Sequence, residues 1–346
     1  MRVLLIKMSS LGDVIHTLPA VTEAGKNGVR FDWVVEEAFA DIAAAHPAVH
    51  NVIPIAWRRW RKNMRANRGV MAEFYRSLRT QPYDMVLDSQ GLIKSAAVAL
   101  MAKGPRQGFS HTVAREPWAA FAYGQGHCIP RAQHAIDRQR QLFASVFGYE
   151  LGGDVDAGLE LDQSSAEKSV QSSALRQVFL LHGTTWQTKH WPVVMWQALA
   201  RDVSAAGFEP VVTWGNEIER QRAELIAQDG VARVVPRMPL AQLSELIAQA
   251  VVVIGVDSGL CHLSAALGTP TLGLYGPTDG VLTGCRGPYA NVLTADLGCS
   301  PCLHSSCKKY SGEPLQWQGE QIEPACFAAM TPKRVWQAAQ DLIENS

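Results

Sequence analysis

Residues 251–279, VVVIGVDSGLCHLSAALGTPTLGLYGPTD, put a carboxylate, a hydroxyl and a glycine where an apolar strand stops and a small-residue helix starts. At such a junction free backbone N–H groups point outward and the helix dipole favours anions. A glycine there lets a phosphate come close to the main chain. Asp257, Ser258, Gly259 and His262 therefore read as one wall of a pocket for a diphosphate and its sugar. A second junction follows the apolar run 178–181. HGTTWQTKHWP supplies two hydroxyls, Thr184 and Thr185, and a cation, Lys189, as a phosphate cradle. The plainer use of that turn is a helix start capped by Thr185 or Thr188; its company with the Asp257 turn favours the cradle.

A third junction, KMSSLGDVIHTLP, follows the run 3–6. It places Asp13 in the first turn of a helix, where a carboxylate can take the proton of an incoming hydroxyl. General base catalysis of this kind is worth about 10²–10⁴ in rate. Lys7, Ser10 and Gly12 would hold an acidic acceptor beside it. Taken alone, Asp13 would only complement the helix dipole; the grouping around it favours chemistry. His16 is a rival base, but it lies one turn deeper and reads as a packed histidine.

Three further features bear on ligands. Glu217, after the run 210–214, is placed to accept from ribose hydroxyls, and Met238 to approach the base, although methionine more often fills cores. Between positions 42 and 72 there is no Asp or Glu, while Arg58, Arg59, Arg61 and Lys62 stand among Trp57 and Trp60. Arginine forks suit carboxylates and phosphates, and interleaved tryptophans suit a lipid interface, so this segment, with Arg115, reads as the surface for an acidic, membrane-embedded acceptor. Finally, Cys299, Cys302, Cys307 and Cys326 are either a structural zinc cluster or a loop of reduced thiols. No catalytic metal and no cofactor is expected. Asp154 and Asp156 sit in a polar stretch and read as linker. The leaving diphosphate would be stabilised by helix N-termini, hydroxyls and Lys189.

These residues need a scaffold that brings strand ends together. Apolar runs at 3–6, 31–35, 84–88, 178–181, 210–214, 232–235, 251–256 and 270–274 alternate with helical stretches. That pattern predicts an α/β chain with doubly wound, mostly parallel sheets. It occurs twice, and 346 residues exceed one ordinary core. The expected organisation is an acceptor-binding Rossmann-like domain over 1–160, a nucleotide-sugar-binding Rossmann-like domain over 161–330, and a C-terminal helix over 331–346. The Gly-, Ser- and Asp-rich stretch 151–177 is the expected junction. Two such halves facing each other would leave a central cleft for ligands.

Composition excludes some alternatives. Thirty-two basic and 32 acidic residues give no net charge, so nucleic acid is not an expected partner. There is no GxGxxG turn and no P-loop, which disfavours nicotinamide enzymes and P-loop phosphotransferases. No secretory signal or membrane span is expected, and seven cysteines in a long chain fit a reducing, cytoplasmic setting.

KMSSLGDVIHTLPA, FDWVVEEAFADI, VIPIAWRRWRK, DSQGLIKSA, AREP, HGTTWQTKHWP and VDSGLCHLSAALGTPTLGLYGPT together resemble the lipopolysaccharide heptosyltransferases, above all those that add the first heptose. The likeness spans most of the chain. It implies a GT-B fold and a metal-independent, inverting transfer of L-glycero-D-manno-heptose. The donor would be ADP-heptose and the acceptor the Kdo of Kdo-lipid A, in inner-core lipopolysaccharide synthesis, with the protein peripheral on the cytoplasmic face of the inner membrane. By the same resemblance Asp13 is the base. Thr184, Thr185 and Lys189 contact the diphosphate, and Asp257, Ser258, Gly259 and His262 form the donor turn. Arg58, Arg59, Arg61, Lys62 and Arg115 form the acceptor surface. The cysteine region looks more like the enzymes that add the second heptose, which keeps transfer to an existing heptose as an alternative. A sugar-nucleotide epimerase of related architecture, and a non-catalytic nucleotide-sugar binder, are the alternatives of another class; the basic segment argues against both.

Overall fold

Runs of valine, leucine and isoleucine with no polar alternation belong to strands covered on both faces, as parallel sheets are. Val3, Leu4, Leu5 and Ile6 are wholly buried, as are Val252, Val253, Ile254 and Val256. The computed structural model describes residues 1–161, 176–307 and 312–346; of the expected junction, residues 162–175 lie outside the described residues. The chain divides into two units, Met1–Glu160 and Leu161–Ser346.

The first unit carries β1 (Arg2–Ile6), β2 (Arg30–Glu36), β3 (Val49–Ile55), β4 (Met85–Asp88), β5 (Arg106–Phe109) and β6 (Gln125–His127). They pair in parallel in the order β3-β2-β1-β4-β5-β6. The second unit carries β7 (Gln177–Leu181), β8 (Glu209–Val212), β9 (Arg233–Val234), β10 (Val252–Val256), β11 (Thr271–Tyr275) and β12 (Ala290–Thr294). Their order, β12-β11-β10-β7-β8-β9, repeats the first, again in parallel. In each sheet the winding reverses next to the unit's first strand, between β1 and β4 and between β7 and β10. Turns leaving the carboxyl ends of such a pair diverge to opposite faces, and the crevice they leave is where ligands bind in open α/β sheets.

Helix Val193–Ala205 and the C-terminal helix Pro332–Glu344 pack together on the second sheet. Thr331 caps the latter by accepting from the Arg334 N–H, and Pro332 opens its first turn. Trp191 and Trp196, both wholly buried and edge-to-face at 4.8 Å, anchor this layer; Trp191 Nε1 also donates to the Met330 carbonyl. Truncating a buried tryptophan of this kind costs about 3–5 kcal/mol. Among the described residues no helix is long and apolar enough to cross a membrane.

Candidate functional site

In the first unit the chain leaves β1 through Lys7–Ser10 and enters the helix Leu11–Ile15, with Ser10 as N-cap and Asp13 as its third residue. Asp13 reaches back as in a capping box. Its Oδ2 accepts from the Ser10 N–H at 2.8 Å and from the Ser10 hydroxyl at 3.0 Å. Its Oδ1 looks toward Lys7 Nζ, 3.8 Å away, and the side chain keeps 34% of its exposure. Lys7 is buried, and its Nζ donates to the Ser89 carbonyl beyond β4 at 3.2 Å. Met8 and Ser9 are tied to the same turn, the Met8 N–H donating to Gln90 Oε1 and Gln90 Nε2 to the Ser9 carbonyl. The two turns at the first switch point are thus zipped together.

Burial alone would raise the Asp13 pKa. Lys7, the Ser10 N–H and hydroxyl, and the charge of Arg115 outweigh it and hold the carboxyl below its ordinary value. Burial lowers the pKa of Lys7, with Asp13 and Asp88 opposing. Gly12 is buried in the same helical turn. His16 is buried too, its ring 5.8 Å from that of His134.

The second unit repeats the device between β7 and β10. Asp257 directly follows β10 and Ser258 caps the helix Gly259–Ala266, its hydroxyl accepting from the Cys261 N–H. From the turn after β7, the Thr184 hydroxyl donates to the Asp257 carbonyl at 3.1 Å. Lys189 Nζ lies 2.7 Å from Asp257 Oδ2 and 4.8 Å from the Trp186 ring centroid, while His262 Nε2 lies 3.5 Å from Oδ1. Burial pushes Asp257 up, but His262 and Lys189 together hold it far below the usual carboxylate range. Thr185 is exposed on the same turn. Thr188, the other candidate cap, is buried and donates instead to the His304 carbonyl.

Both units therefore present a turn-bound cation–carboxylate pair at a sheet reversal. The family model for glycosyltransferase family 9 (heptosyltransferase) matches residues 71–311. Lipopolysaccharide heptosyltransferase 1 of Pseudomonas aeruginosa is 44% identical over 344 residues, covering 97% of this chain and 96% of the relative. The chain belongs to glycosyltransferase family 9, the heptosyltransferases. Lipopolysaccharide heptosyltransferase 1 of Escherichia coli K12 is 40% identical over 85% of this chain and 96% of its own length. The solved structure of the E. coli heptosyltransferase WaaC with ADP superimposes with a TM-score of 0.83 at 36% identity, covering 99% of this chain and all of that one. The two-Rossmann GT-B fold class expected from the sequence is the fold observed.

Within this family 9 chain some residues stand differently from the sequence expectation. Glu217 opens the helix Glu217–Ile226 and forms a two-bonded ion pair with Arg220 along that helix, on its exposed side. The carboxylate brought to the strand ends is that of Glu219. Its Oε2 accepts from the Gly215 N–H at 2.8 Å, and it lies against Gly183, where a Cβ would come within 3.1 Å of it. Sequence reasoning missed it because Glu217 and Glu219 are equivalent until the Asn216 cap fixes the helix phase. Met238 is half-buried against the core of Leu243, Leu246 and Ile247.

The basic segment needs a correction. Trp60 is buried and packs edge-on against Phe74 at 5.4 Å, and Trp57 is half-buried on the same core. Neither is offered to lipid; the short helix Trp57–Trp60 turns its apolar side to the sheet. Arg58, Arg59, Arg61 and Lys62 are exposed. Arg59 pairs with Glu37 at 2.9 Å, and the Arg58 N–H donates to Glu36. Lys94, unassigned from the sequence, joins the site from the first turn of the helix Ile93–Met101, its Nζ donating to the Ser9 hydroxyl at 3.0 Å. Burial first, then Arg58 and Arg115, lower its pKa against Glu36 and Asp13. The strand end DSQG followed by a first-turn lysine was its only signal.

All seven cysteines are free thiols. Cys326 is buried against Gly276, and burial, with the charges of Cys307, Cys302 and Cys299 nearby, pushes its thiol up to about 12. Cys307 is exposed and Cys299 and Cys302 are partly so. Among the described residues no three His, Cys, Asp or Glu side chains are grouped as a metal ion requires.

Proposed function

We propose that this heptosyltransferase moves L-glycero-D-manno-heptose from ADP-heptose to a Kdo hydroxyl of Kdo-lipid A, working at the cytoplasmic face of the inner membrane. Asp13 Oδ1 takes the acceptor hydroxyl proton as that oxygen bonds to the anomeric carbon. The bond from that carbon to the diphosphate breaks on the opposite face, ADP departs with the electron pair, and configuration inverts. The observation that carries this reading is Asp13 itself: a partly exposed carboxylate, held ionised, with Oδ2 engaged by Ser10 and Oδ1 turned toward Lys7.

Thr184, Thr185, Lys189, Ser258 and Gly259 hold the diphosphate in this reading, Asp257 fixes Lys189, and Asp257 and His262 face the sugar. Glu219, rather than Glu217, accepts from the ribose, and Met238 lies toward the base. Lys7, Ser10, Gly12, Lys94, Arg58, Arg59, Arg61, Lys62 and Arg115 gather the anionic acceptor, whose carboxylates and phosphates match arginine forks and lysine charges. The heptosyltransferase 1 names of the relatives and the ADP of the WaaC structure support the donor and the first-heptose assignment.

The test is ADP release from ADP-heptose with Kdo-lipid A, with the same acceptor already carrying one heptose, and with none. Release only with the heptose-free acceptor is expected. Release only with the heptosylated one would make it a second-heptose enzyme, and none with either would end the proposal.

A further inference from the structure

The first unit exposes aromatic surface where the sequence did not point. Residues Pro117–Ala122 form a 3₁₀ helix. Its three-residue period puts Ala119 and Ala122 on one side and Trp118 and Phe121 on the other. The alanines pack inward with Ala96 of the helix Ile93–Met101. Trp118 and Phe121 are 73% and 77% exposed and stack on each other, ring centroids 5.6 Å apart. The neighbouring helix adds its own stripe at helical spacing, Ile93, Ala97 and Leu100, with Ile93 and Leu100 each 55% exposed. Two packed elements thus turn apolar faces to solvent, which folded monomers seldom do without a use.

We propose that the Trp118–Phe121 pair, with Ile93 and Leu100, inserts into an anionic lipid surface and docks the acceptor unit on it. Charge around the patch fits that occupant. From Ser89 to Ala122 there are four cations, Lys94, Lys103, Arg106 and Arg115, and one carboxylate, Glu116. Glu116 is turned to the protein, accepting from the Ile93 N–H at 2.6 Å. Aromatic side chains in the interface with basic residues beside them are what holds a protein on anionic lipid, because apolar burial and surface potential act together. The patch is also coupled to the site. The Glu116 N–H donates to the Gly91 carbonyl, and three residues further on Lys94 reaches Ser9 beside Asp13. A lipid-linked acceptor arriving at the patch is then delivered to the turn that carries the base. The inference deepens the membrane part of the proposed function and rests on it only there.

The full chain is sedimented with phosphatidylethanolamine–phosphatidylglycerol vesicles and with phosphatidylcholine vesicles, without donor or acceptor. The double variant W118S/F121S is expected to lose at least tenfold in partition onto the anionic vesicles. It should keep turnover on an acyl-free Kdo acceptor within twofold of the parent, which also reports its folding. Leu100→Ser, on the neighbouring helix, is an independent arm and should weaken partition severalfold. Wild-type partition by both variants overturns the proposal. So does a parent that scatters light as a dimer and a double variant that is monomeric, since the face would then be a contact between copies. Because binding is read without substrates, failure of the transfer reaction leaves this test standing.

Discussion

Lys189 Nζ and Asp257 Oδ2 stand 2.7 Å apart, joining the turn after β7 to the turn after β10. The pair is mostly shielded from water, so removing either partner would leave the other as an uncompensated buried charge. The lysine it fixes is the strongest positive charge on this turn. Lys189→Ala should weaken ADP binding about ten- to a hundredfold, the range of one charge-assisted contact, measured by titration calorimetry. An unchanged affinity removes Lys189 from the diphosphate site. Asp257→Ala leaves both Lys189 and His262 without their carboxylate and should lower unfolding free energy by about 3 kcal/mol, read by denaturant titration.

Asp13→Asn keeps an oxygen for the Ser10 N–H, so helix and fold should persist. Turnover should fall about 10²–10⁴-fold while ADP affinity stays as it was. Loss of ADP binding in step with turnover would mean that Asp13 acts on structure and not on the acceptor.

Glu219→Gln should weaken ADP binding by about tenfold, one hydrogen bond to a charged group, whereas Glu217→Gln should leave it unchanged. Competition with ADP-heptose separates them; the reverse outcome would restore the assignment to Glu217.

His182 is wholly buried, its Nε2 against the Thr213 carbonyl, and burial together with Arg222 lowers its pKa to about 4. The unfolded chain, near 6.5, binds the proton first as pH falls. Stability from this residue is therefore complete above about pH 6.5 and is lost between there and about pH 4. Between pH 7 and pH 5 the loss should be about 2 kcal/mol, and His182→Gln should flatten it. A variant with the parent's pH slope would assign the acid sensitivity to other groups, such as His46 or His190, both also lowered to about 4.

Strands buried on both faces were legible because nothing but apolar residues can fill them. The missed strands had no such mark. β3, VHNVIPI, is an edge strand with a proline and with five of its seven residues not buried. β5 and β6, RQGF and QGH, carry almost no apolar residue, and besides the backbone ladder they are joined by a polar side-chain contact, His127 Nε2 to Gln107 Oε1 at 2.7 Å. At the site, what lay within one turn was readable: the Ser10–Asp13 reach-back and the Ser258 cap are local chemistry. What depended on a second element was not. Lys94 reaches Ser9 across 85 positions, and Trp60 is drawn into the core by Phe74. The aromatics open to solvent are instead Trp118 and Phe121, which the sequence surrounds with alanine as any core segment would be.

In the proposed role of Asp13, the Ser10 bonds to one of its oxygens make initiating a helix and aiming a base a single event. A hydroxyl arriving at Oδ1 meets a carboxylate that no longer swivels. Lengthening the side chain by one methylene would leave the charge in place and lose the bearing. Loosening the backbone at position 10 would blunt the enzyme without altering any atom that reacts.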